Sequence, residues 1–330
     1  MPAWSIFLIS AIAVIAAGSR LSRDGDTIAD RTGLGGAWVG AILVAGATSL
    51  PELATDIFAV RQGLVPLAVG DLFGSSMANM LILAVADLST RQLQVLTRVT
   101  INQVMVGLLA ILLTVLAAAG VLAHQGVAVL NLGWAPLAIG LCYILGMRLL
   151  HVNRGEPPFE SAEAAAESTH QAGPLKPAVV GFVLSALVIL IAAPFLAGSA
   201  ATIAEQLGYS TGLVGMVLLA ITTSLPEVTV SVAAVRSGSY DLAVGNLLGS
   251  NAFNMFILVA LDLVDGPGPL LARVGNELLV GALFAVLLMA QALLAVLNKS
   301  ERRIWYLEPD AIFLVLTYVA GLYLTYRVGH

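Results

Sequence analysis

The chain repeats itself at an offset of 175 residues, and this repeat restricts the possible folds more than any other feature. The segment "TSLPE" at residues 48–52 returns at residues 223–227, and residues 48–88 match residues 223–263 without a gap at 22 of 41 positions. The matches include Pro, Glu, Arg, Gly, Ser and Asn, which chance similarity between two apolar segments would not align together. The repeat therefore predicts two structurally related halves.

The composition predicts that both halves lie in a membrane. Of the 330 residues, 59% are hydrophobic and 11% are charged, whereas soluble domains have about 25% charged residues. Apolar runs near the roughly 20 residues that a bilayer core requires predict an all-α polytopic membrane protein with ten transmembrane helices. The predicted spans are 3–18, 37–60, 64–86, 99–121, 129–149, 178–198, 212–235, 240–263, 276–297 and 310–326, and the first is short for a straight span.

The ten spans divide into two five-helix repeats. Residues 1–150 form the first repeat, residues 151–177 a linker rich in Ala, Glu and Pro, and residues 178–330 the second repeat. Because five is odd, the second repeat is expected to enter the membrane from the opposite side. Many transporters with inverted repeats hold their substrate near the midplane, on interrupted helices.

The distribution of Lys and Arg predicts the orientation. With the N-terminus outside, 12 of the 15 basic residues fall in cytoplasmic segments and the other three, Arg61, Arg273 and Arg327, fall outside. We therefore expect a multi-pass protein of the cell (inner) membrane with both termini outside and the linker 151–177 in the cytoplasm.

Each "TSLPE" segment places a proline and an acid inside a predicted span. Proline lacks the N–H of a helical hydrogen bond and clashes with the preceding turn, so the helices are expected to kink or open at Pro51 and Pro226. The freed carbonyls, around Ala47 and Thr222, cost several kcal/mol in lipid unless they line a cavity or meet a cation. Hydroxyl and carboxyl groups lie beside each break: Thr48, Ser49 and Glu52 in the first half, and Thr223, Ser224 and Glu227 in the second.

The following span of each half carries the second motif. It reads "GDLFGSSMAN" from residue 70 and "GNLLGSNAFN" from residue 245. Ser75 and Asn79 are four residues apart and share a helix face, as do Ser250 and Asn254. The glycine pairs Gly70/Gly74 and Gly245/Gly249 are typical of close helix packing.

Together these groups offer only oxygen ligands, without His or Cys. Hard cations prefer such a set: Ca2+ takes about six to eight oxygens, whereas Mg2+ gives up its water reluctantly and zinc or copper would favour nitrogen or sulfur. Two buried carboxylates are costly alone, and one Ca2+, two Na+ or two protons would balance their charge. A site that accepts these loads as alternatives suits an antiporter.

The two motifs resemble those of the sodium/calcium exchanger family, within the calcium/cation antiporters. That family carries inverted repeats with G-T-S-x-P-E-like and G-N-x-x-G-S-N-x-x-N-like segments. The resemblance implies a Ca2+ site shared by Glu52, Glu227 and carbonyls near Thr48 and Thr223. It also implies Na+ sites built with Ser49, Ser224, Ser75, Ser250, Asn79 and Asn254, and family members usually move several Na+ inward against one Ca2+ outward.

Three positions depart from the pattern. Asn254 stands where some prokaryotic members carry Asp, and Asp56 and Asp71 stand where the second repeat has Ser231 and Asn246. Asp56 and Asp71 are predicted to line an outer vestibule or to add a titratable site; the alternative is that they are surface acids near Arg61. Asp87, Asp262 and Asp265 are predicted to be solvated at helix ends.

The predicted function is antiport of Ca2+ against Na+ by alternating access, with inorganic cations and the bilayer as partners. No enzymatic activity, cofactor or nucleic acid is expected, and we expect a monomer. A Ca2+/H+ or Na+/H+ antiporter on the same fold is the first alternative, a membrane enzyme or scaffold with structural acids the second, and a channel the third.

Overall fold

The computed structural model is nearly all-helical. It describes residues 2–32, 46, 48–89, 99, 101–123, 128–129, 132–152, 174–236, 240–266, 268–298 and 309–329. In the first half the elements are α1 (Ala3–Thr32), α2 (Leu50–Arg61), α3 (Val65–Ser89), α4 (Ile101–Leu122), β1 (Ala128–Val129), β2 (Leu132–Gly133) and α5 (Trp134–Val152).

The second half contains an interrupted helix. Its elements are α6 (Leu175–Leu207), α7 (Thr211–Val214, the π-helical Gly215–Leu219, and Ala220–Thr223), α8 (Leu225–Arg236), α9 (Tyr240–Asp265), a 3-10 turn (Leu270–Arg273), α10 (Asn276–Asn298) and α11 (Pro309–Gly329).

The helix boundaries follow the sequence repeat. Helix α8 begins and ends 175 residues after α2, and α9, α10 and α11 begin 175 residues after α3, α4 and α5. The offset therefore extends beyond the matching motifs to the C-terminal helices of each half. The inverted orientation of the two halves stays a prediction.

Long apolar helices make this a multi-pass membrane protein. The described residues contain seven helices long and apolar enough to cross a bilayer, or eight if α7 and α8, which meet at an angle of 46°, form one broken span. The apolar helix Trp134–Leu150 is shorter, and most of the second predicted span before Thr48 lies outside the described residues. A helical, multi-pass chain is therefore confirmed, whereas the number of ten spans stays a prediction.

Helices α1 and α6 are longer than predicted. The first span was expected to end at residue 18 and the sixth at residue 198, but the helices continue to Thr32 and Leu207. Polar residues in the extensions bond within the helix: Thr27 donates to the Arg23 carbonyl, and Ser199 donates to the Phe195 carbonyl at 2.6 Å. The polar residues that follow each apolar run therefore continue the helix instead of ending it.

The fifth span also begins later than predicted. The predicted span begins at residue 129. Instead of a first helical turn, the chain has a short antiparallel pair of strands there, in which Ala128 lies opposite Gly133 and Val129 opposite Leu132. Helix α5 begins directly afterwards, at Trp134.

Asp262 fixes this pair of strands to the rest of the protein. Its carboxylate accepts hydrogen bonds from the backbone N–H of Gly133 at 2.6 Å and of Leu270 at 2.7 Å, and the residue is fully buried. Asp87, its repeat equivalent, is also buried, whereas Asp265 pairs with Arg273. The prediction of solvated acids is therefore wrong for Asp87 and Asp262, because backbone groups or neighbouring residues replace water around them.

Helix α3 lies at the centre of the molecule. In its most apolar window 83% of the residues are buried inside the protein, against 33% for α6, and α3 packs against α2, α7, α9, α10 and α11. The outer helices leave large apolar side chains uncovered, such as Val180, Leu184 and Ile191 on α6, which suits a surface in contact with lipid.

Close backbone contacts hold α3 against α7. A Cβ atom at Gly70 would lie 2.2 Å from the Gly212 carbonyl oxygen, and one at Gly74 would lie 2.3 Å from that of Met216. From the other side, a Cβ atom at Gly215 would lie 2.1 Å from the Leu67 carbonyl oxygen. The packing role predicted for Gly70 and Gly74 is therefore confirmed.

We expect Asp262→Ala to destabilise the protein by about 3 kcal/mol, because two backbone N–H groups lose a charged acceptor. The measurement is thermal unfolding of the purified chain in detergent, compared with Asp310→Asn at the exposed start of α11. Equal melting temperatures of the two variants would contradict the structural role of Asp262.

Candidate cation-binding site

The site begins at a break between two helices. Helix α7 ends at Thr223, α8 begins at Leu225, and the intervening Ser224 has φ −83° and ψ 5°. Pro226 occupies the second position of α8, where its missing N–H breaks no bond within the new helix. The predicted opening of the helix at Pro226 is confirmed, with a bend of 46°.

The first half has the same local geometry. Ser49 has φ −86° and ψ 10°, and Pro51 is the second residue of α2. Ala47 and residues 33–45 lie outside the described residues, so the helix expected before this break is not described. The matched dihedral angles of Ser49 and Ser224 nevertheless place the two breaks at equivalent positions.

Each break puts a glutamate in the first turn of a helix. Glu52 lies in the first turn of α2 and Glu227 in the first turn of α8. The partial positive charge at a helix N-terminus stabilises a nearby carboxylate, typically by about 0.3–1 kcal/mol. Proline and glutamate thus act together: the break creates the helix start that the acid needs.

The two halves contact each other through these residues. The Ser49 hydroxyl donates to Glu227 Oε1 at 3.3 Å, and the Ser224 hydroxyl donates to Glu52 Oε1 at 3.4 Å. The two contacts are equivalent under the repeat. Glu52 and Glu227 are 1% and 0% exposed, so the structure brings both acids into one buried centre.

Helix α9 contributes to the same centre. The Ser250 hydroxyl donates to Glu227 Oε1 at 3.3 Å and lies 3.4 Å from the Thr48 hydroxyl. All these hydroxyl contacts are longer than the usual 2.7–2.8 Å of O–H···O bonds. The oxygens therefore surround the centre without pairing tightly.

The amide side chains meet nearby, between α3 and α9. Asn79 donates to the Asn251 side-chain oxygen at 2.8 Å, and Asn251 donates to the Ser76 carbonyl at 3.2 Å. Asn251 and Ser76 were not among the predicted site residues, although their positions also differ by 175. A polar side chain at both repeat positions in an apolar helix was the signal that would have identified them.

Many polar atoms at this centre are buried without a hydrogen-bond partner among the described residues. They are Glu52 Oε2, Glu227 Oε2, Ser75 Oγ, Asn79 Oδ1, and Asn254 Oδ1 and Nδ2. Such atoms are few in native structures, and an ion or water is a common explanation. Ser75 and Asn254 lie fully buried at the positions predicted from the motif.

Asp56 and Asp71 lie deeper than predicted. Both are fully buried, and Asp71 Oδ1 accepts a hydrogen bond from the Thr223 hydroxyl at 3.1 Å. The alternative of surface acids near Arg61 is therefore wrong, and an outer vestibule or an added titratable site stays a prediction. Thr223 is one of the predicted site residues. Its hydroxyl bonds Asp71, whereas the hydroxyl of its repeat equivalent Thr48 lies beside Ser250, so the two halves differ at this position.

The four acids have no basic neighbour among the described residues. The ion pairs found there are Arg20 with Asp24 and Arg273 with Asp265. No three His, Cys, Asp or Glu side chains in the described part of the chain are arranged to hold a metal ion. A cation at Glu52 and Glu227 would therefore need the hydroxyl and amide oxygens as further ligands.

Comparison with known proteins identifies the family. The sequence profile described as "Sodium/calcium exchanger protein" matches residues 2–149 and 177–327. The chain belongs to the sodium/calcium exchanger family. The resemblance inferred from the two motifs is thus confirmed over nearly the whole length of both halves.

One curated relative and two solved structures describe this membership further. The chain is 28% identical over 299 residues to a protein named "Putative antiporter CaxA" from Alkalimonas amylolytica, covering 89% of this chain and 92% of that protein. The fold matches an H+/Ca2+ exchanger CAX with a TM-score of 0.71 at 17% identity, over 99% of this chain and 85% of that one. It also matches the sodium-calcium exchanger NCX_Mj with a TM-score of 0.62 at 20% identity, over 97% of each chain.

Helix α1 crosses both helix breaks at a single glycine. A Cβ atom at Gly18 would lie 2.6 Å from Pro226 Cγ and 3.2 Å from Pro51 Cγ. The side of α1 that faces the centre is therefore fitted to the two proline rings.

We expect Gly18→Leu to destabilise this exchanger-family protein by about 2 kcal/mol, because the side chain would force α1 away from both prolines. Ala16→Leu is the matched control, since Ala16 lies exposed on the same helix. Thermal unfolding in detergent compares the two variants, and an unchanged melting temperature for Gly18→Leu would show that α1 is not tightly packed here.

Proposed function

We propose that the protein is a secondary active antiporter that exchanges Ca2+ for Na+ at the centre formed by Glu52 and Glu227. The observation that carries the proposal is the pair of contacts between the halves, from Ser49 to Glu227 and from Ser224 to Glu52. Family membership supports cation exchange, and the oxygen-only environment supports hard cations as the load.

Charge balance explains why exchange suits this centre. Glu52 and Glu227 are buried with one unpartnered oxygen each, and a charged acid in a membrane costs about 3 kcal/mol on insertion scales. One Ca2+ or two Na+ neutralise the pair. Binding either load removes the electrostatic cost of enclosing the site, so a loaded protein rearranges more readily than an empty one.

We assign the remaining ligands by position. Ca2+ would bind Glu52 and Glu227 together with the backbone carbonyls near Thr48 and Thr223. Na+ would use the hydroxyls of Ser49, Ser224, Ser75 and Ser250 and the amide oxygens of Asn79 and Asn254. The unpartnered atoms of Ser75, Asn79 and Asn254 support these assignments.

Alternating access would divide the molecule into a core and a moving pair of helices. Helices α2, α3, α7, α8 and α9 carry the candidate ligands, whereas α1 and α6 pack along each other and carry none of them. We propose that α1 and α6 move together against the core. We place the protein in the inner membrane with both termini outside and the linker in the cytoplasm, following the distribution of basic residues.

Exchange of Ca2+ for protons is the second candidate. It is favoured by the four buried carboxyl groups, which have no basic neighbour among the described residues and could each bind a proton. The fold is shared with both a proton-coupled and a sodium-coupled exchanger, so the fold alone does not select the counter-ion.

Flux measurements distinguish the two candidates. Purified protein is reconstituted into liposomes whose membrane potential is clamped, and uptake of radioactive Ca2+ is driven either by an outward Na+ gradient or by a pH gradient. We expect uptake with the Na+ gradient at constant pH. Uptake that needs only the pH gradient would select proton coupling, and flux without any counter-ion gradient dependence would indicate a channel.

Neutralising either central acid should abolish this exchange. For Glu52→Gln or Glu227→Gln we expect about 100-fold lower Ca2+ affinity, equivalent to about 3 kcal/mol, because one carboxylate no longer balances the divalent charge. The control is Asp310→Asn, and the readout is Ca2+-dependent uptake in the same liposomes. Uptake near the normal rate in both Gln variants would exclude this centre as the transport site.

A further inference from the structure

A second pair of carboxyl groups lies beside the central one. Asp56 is on α2, one helical turn after Glu52, and Asp71 is on α3. Their carboxyl groups are neighbours within hydrogen-bonding range, and both residues are 0% exposed. Two acids that solvent does not reach are therefore held side by side by two packed helices.

The protein supplies little to stabilise this second pair. Neither oxygen of Asp56, nor Oδ2 of Asp71, has a hydrogen-bond donor among the described residues. The Thr223 hydroxyl donates to Asp71 Oδ1 at 3.1 Å. A buried charge left unpaired in this way is strongly destabilising, so the pair needs a neutralising cation or proton.

The second half shows how the same position is filled without charge. The repeat equivalents of Asp56 and Asp71 are Ser231 and Asn246, which are also buried. There the Asn246 amide donates to the Ser231 hydroxyl at 3.2 Å, and that hydroxyl donates to the Ala243 carbonyl at 3.5 Å. In the second half, two neutral side chains therefore occupy these positions and form a hydrogen bond with each other. The packing of the two helices does not by itself require carboxyl groups at the equivalent positions of the first half.

We propose that Asp56 and Asp71 form a second site for a hard metal cation, separate from the centre at Glu52 and Glu227. The pair offers carboxylate oxygens, which Ca2+ and Na+ both accept, and its charge is balanced by one Ca2+ or two Na+. The inference deepens the proposed function: through the Thr223 bond, the second site is attached to the helix break of the opposite half. Occupation of one site therefore alters the surroundings of the other.

The test counts the cations bound to the purified full-length chain in detergent. Equilibrium binding is measured with radioactive Ca2+ alone and with radioactive Na+ alone, which identifies the cation. The key variant is Asp56→Ser combined with Asp71→Asn, because it gives the first half the side chains of the second. We expect the natural chain to bind about four positive charges at saturation and the variant about two, since two charges balance each carboxylate pair.

Two further measurements keep the result decisive. Glu52→Gln combined with Glu227→Gln removes the central pair and should still bind about two charges. If the Ser/Asn variant does not fold, the natural chain alone decides, because saturation at about two charges overturns the proposal. Equal cation counts in the natural chain and the folded variant also overturn it, including the case in which the two acids hold only protons.

Failure of this inference is distinguishable from failure of the proposed function. Loss of the second site without loss of Ca2+ flux through the Glu52 and Glu227 centre leaves the antiporter intact. Absence of counter-ion-dependent flux in the natural chain refutes the proposed function, whatever number of cations the chain binds.

Discussion

The burial of two carboxyl groups at the centre of this protein is the constraint on which the rest of the structure depends. Glu52 and Glu227 are buried, they come from different halves, and no basic side chain among the described residues pairs with either. Several features reduce this cost. The breaks at Ser49 and Ser224 give each acid a helix N-terminus, and hydroxyls of the opposite half donate to each carboxylate. These contributions are small beside the cost of two buried charges, so a charged pair here needs a further source of stabilisation.

The repeat provides a control within the molecule. Ser49 and Ser224 make equivalent contacts at the two breaks. The halves differ one turn further along, where the first has two carboxyls and the second a neutral hydrogen bond. The same sequence motif forms the backbone around both pairs of positions. The two halves therefore differ here in their side chains and not in their helices. This asymmetry is the basis of the second cation site proposed above.

The sequence predicted the elements that local rules control. A proline with an acid one residue later specified both helix starts, and the 175-residue offset specified which residues are equivalent, including the two glutamates that meet at the centre. Local rules failed where tertiary contacts replace water. Asp262 resembles a solvated acid at the end of a helix, yet it binds two backbone N–H groups distant in the chain. Likewise, Asp56 and Asp71 are 15 positions apart, and only the packing of α2 on α3 shows that they meet.

The position of Gly18 has a mechanical consequence. There is no room for a Cβ atom at Gly18 beside Pro226 and little beside Pro51, so a tilt of either proline ring would change its fit against α1. We expect a shift of α1 along its axis to release or restrain both helix breaks at once. The two breaks would then change in a single concerted step.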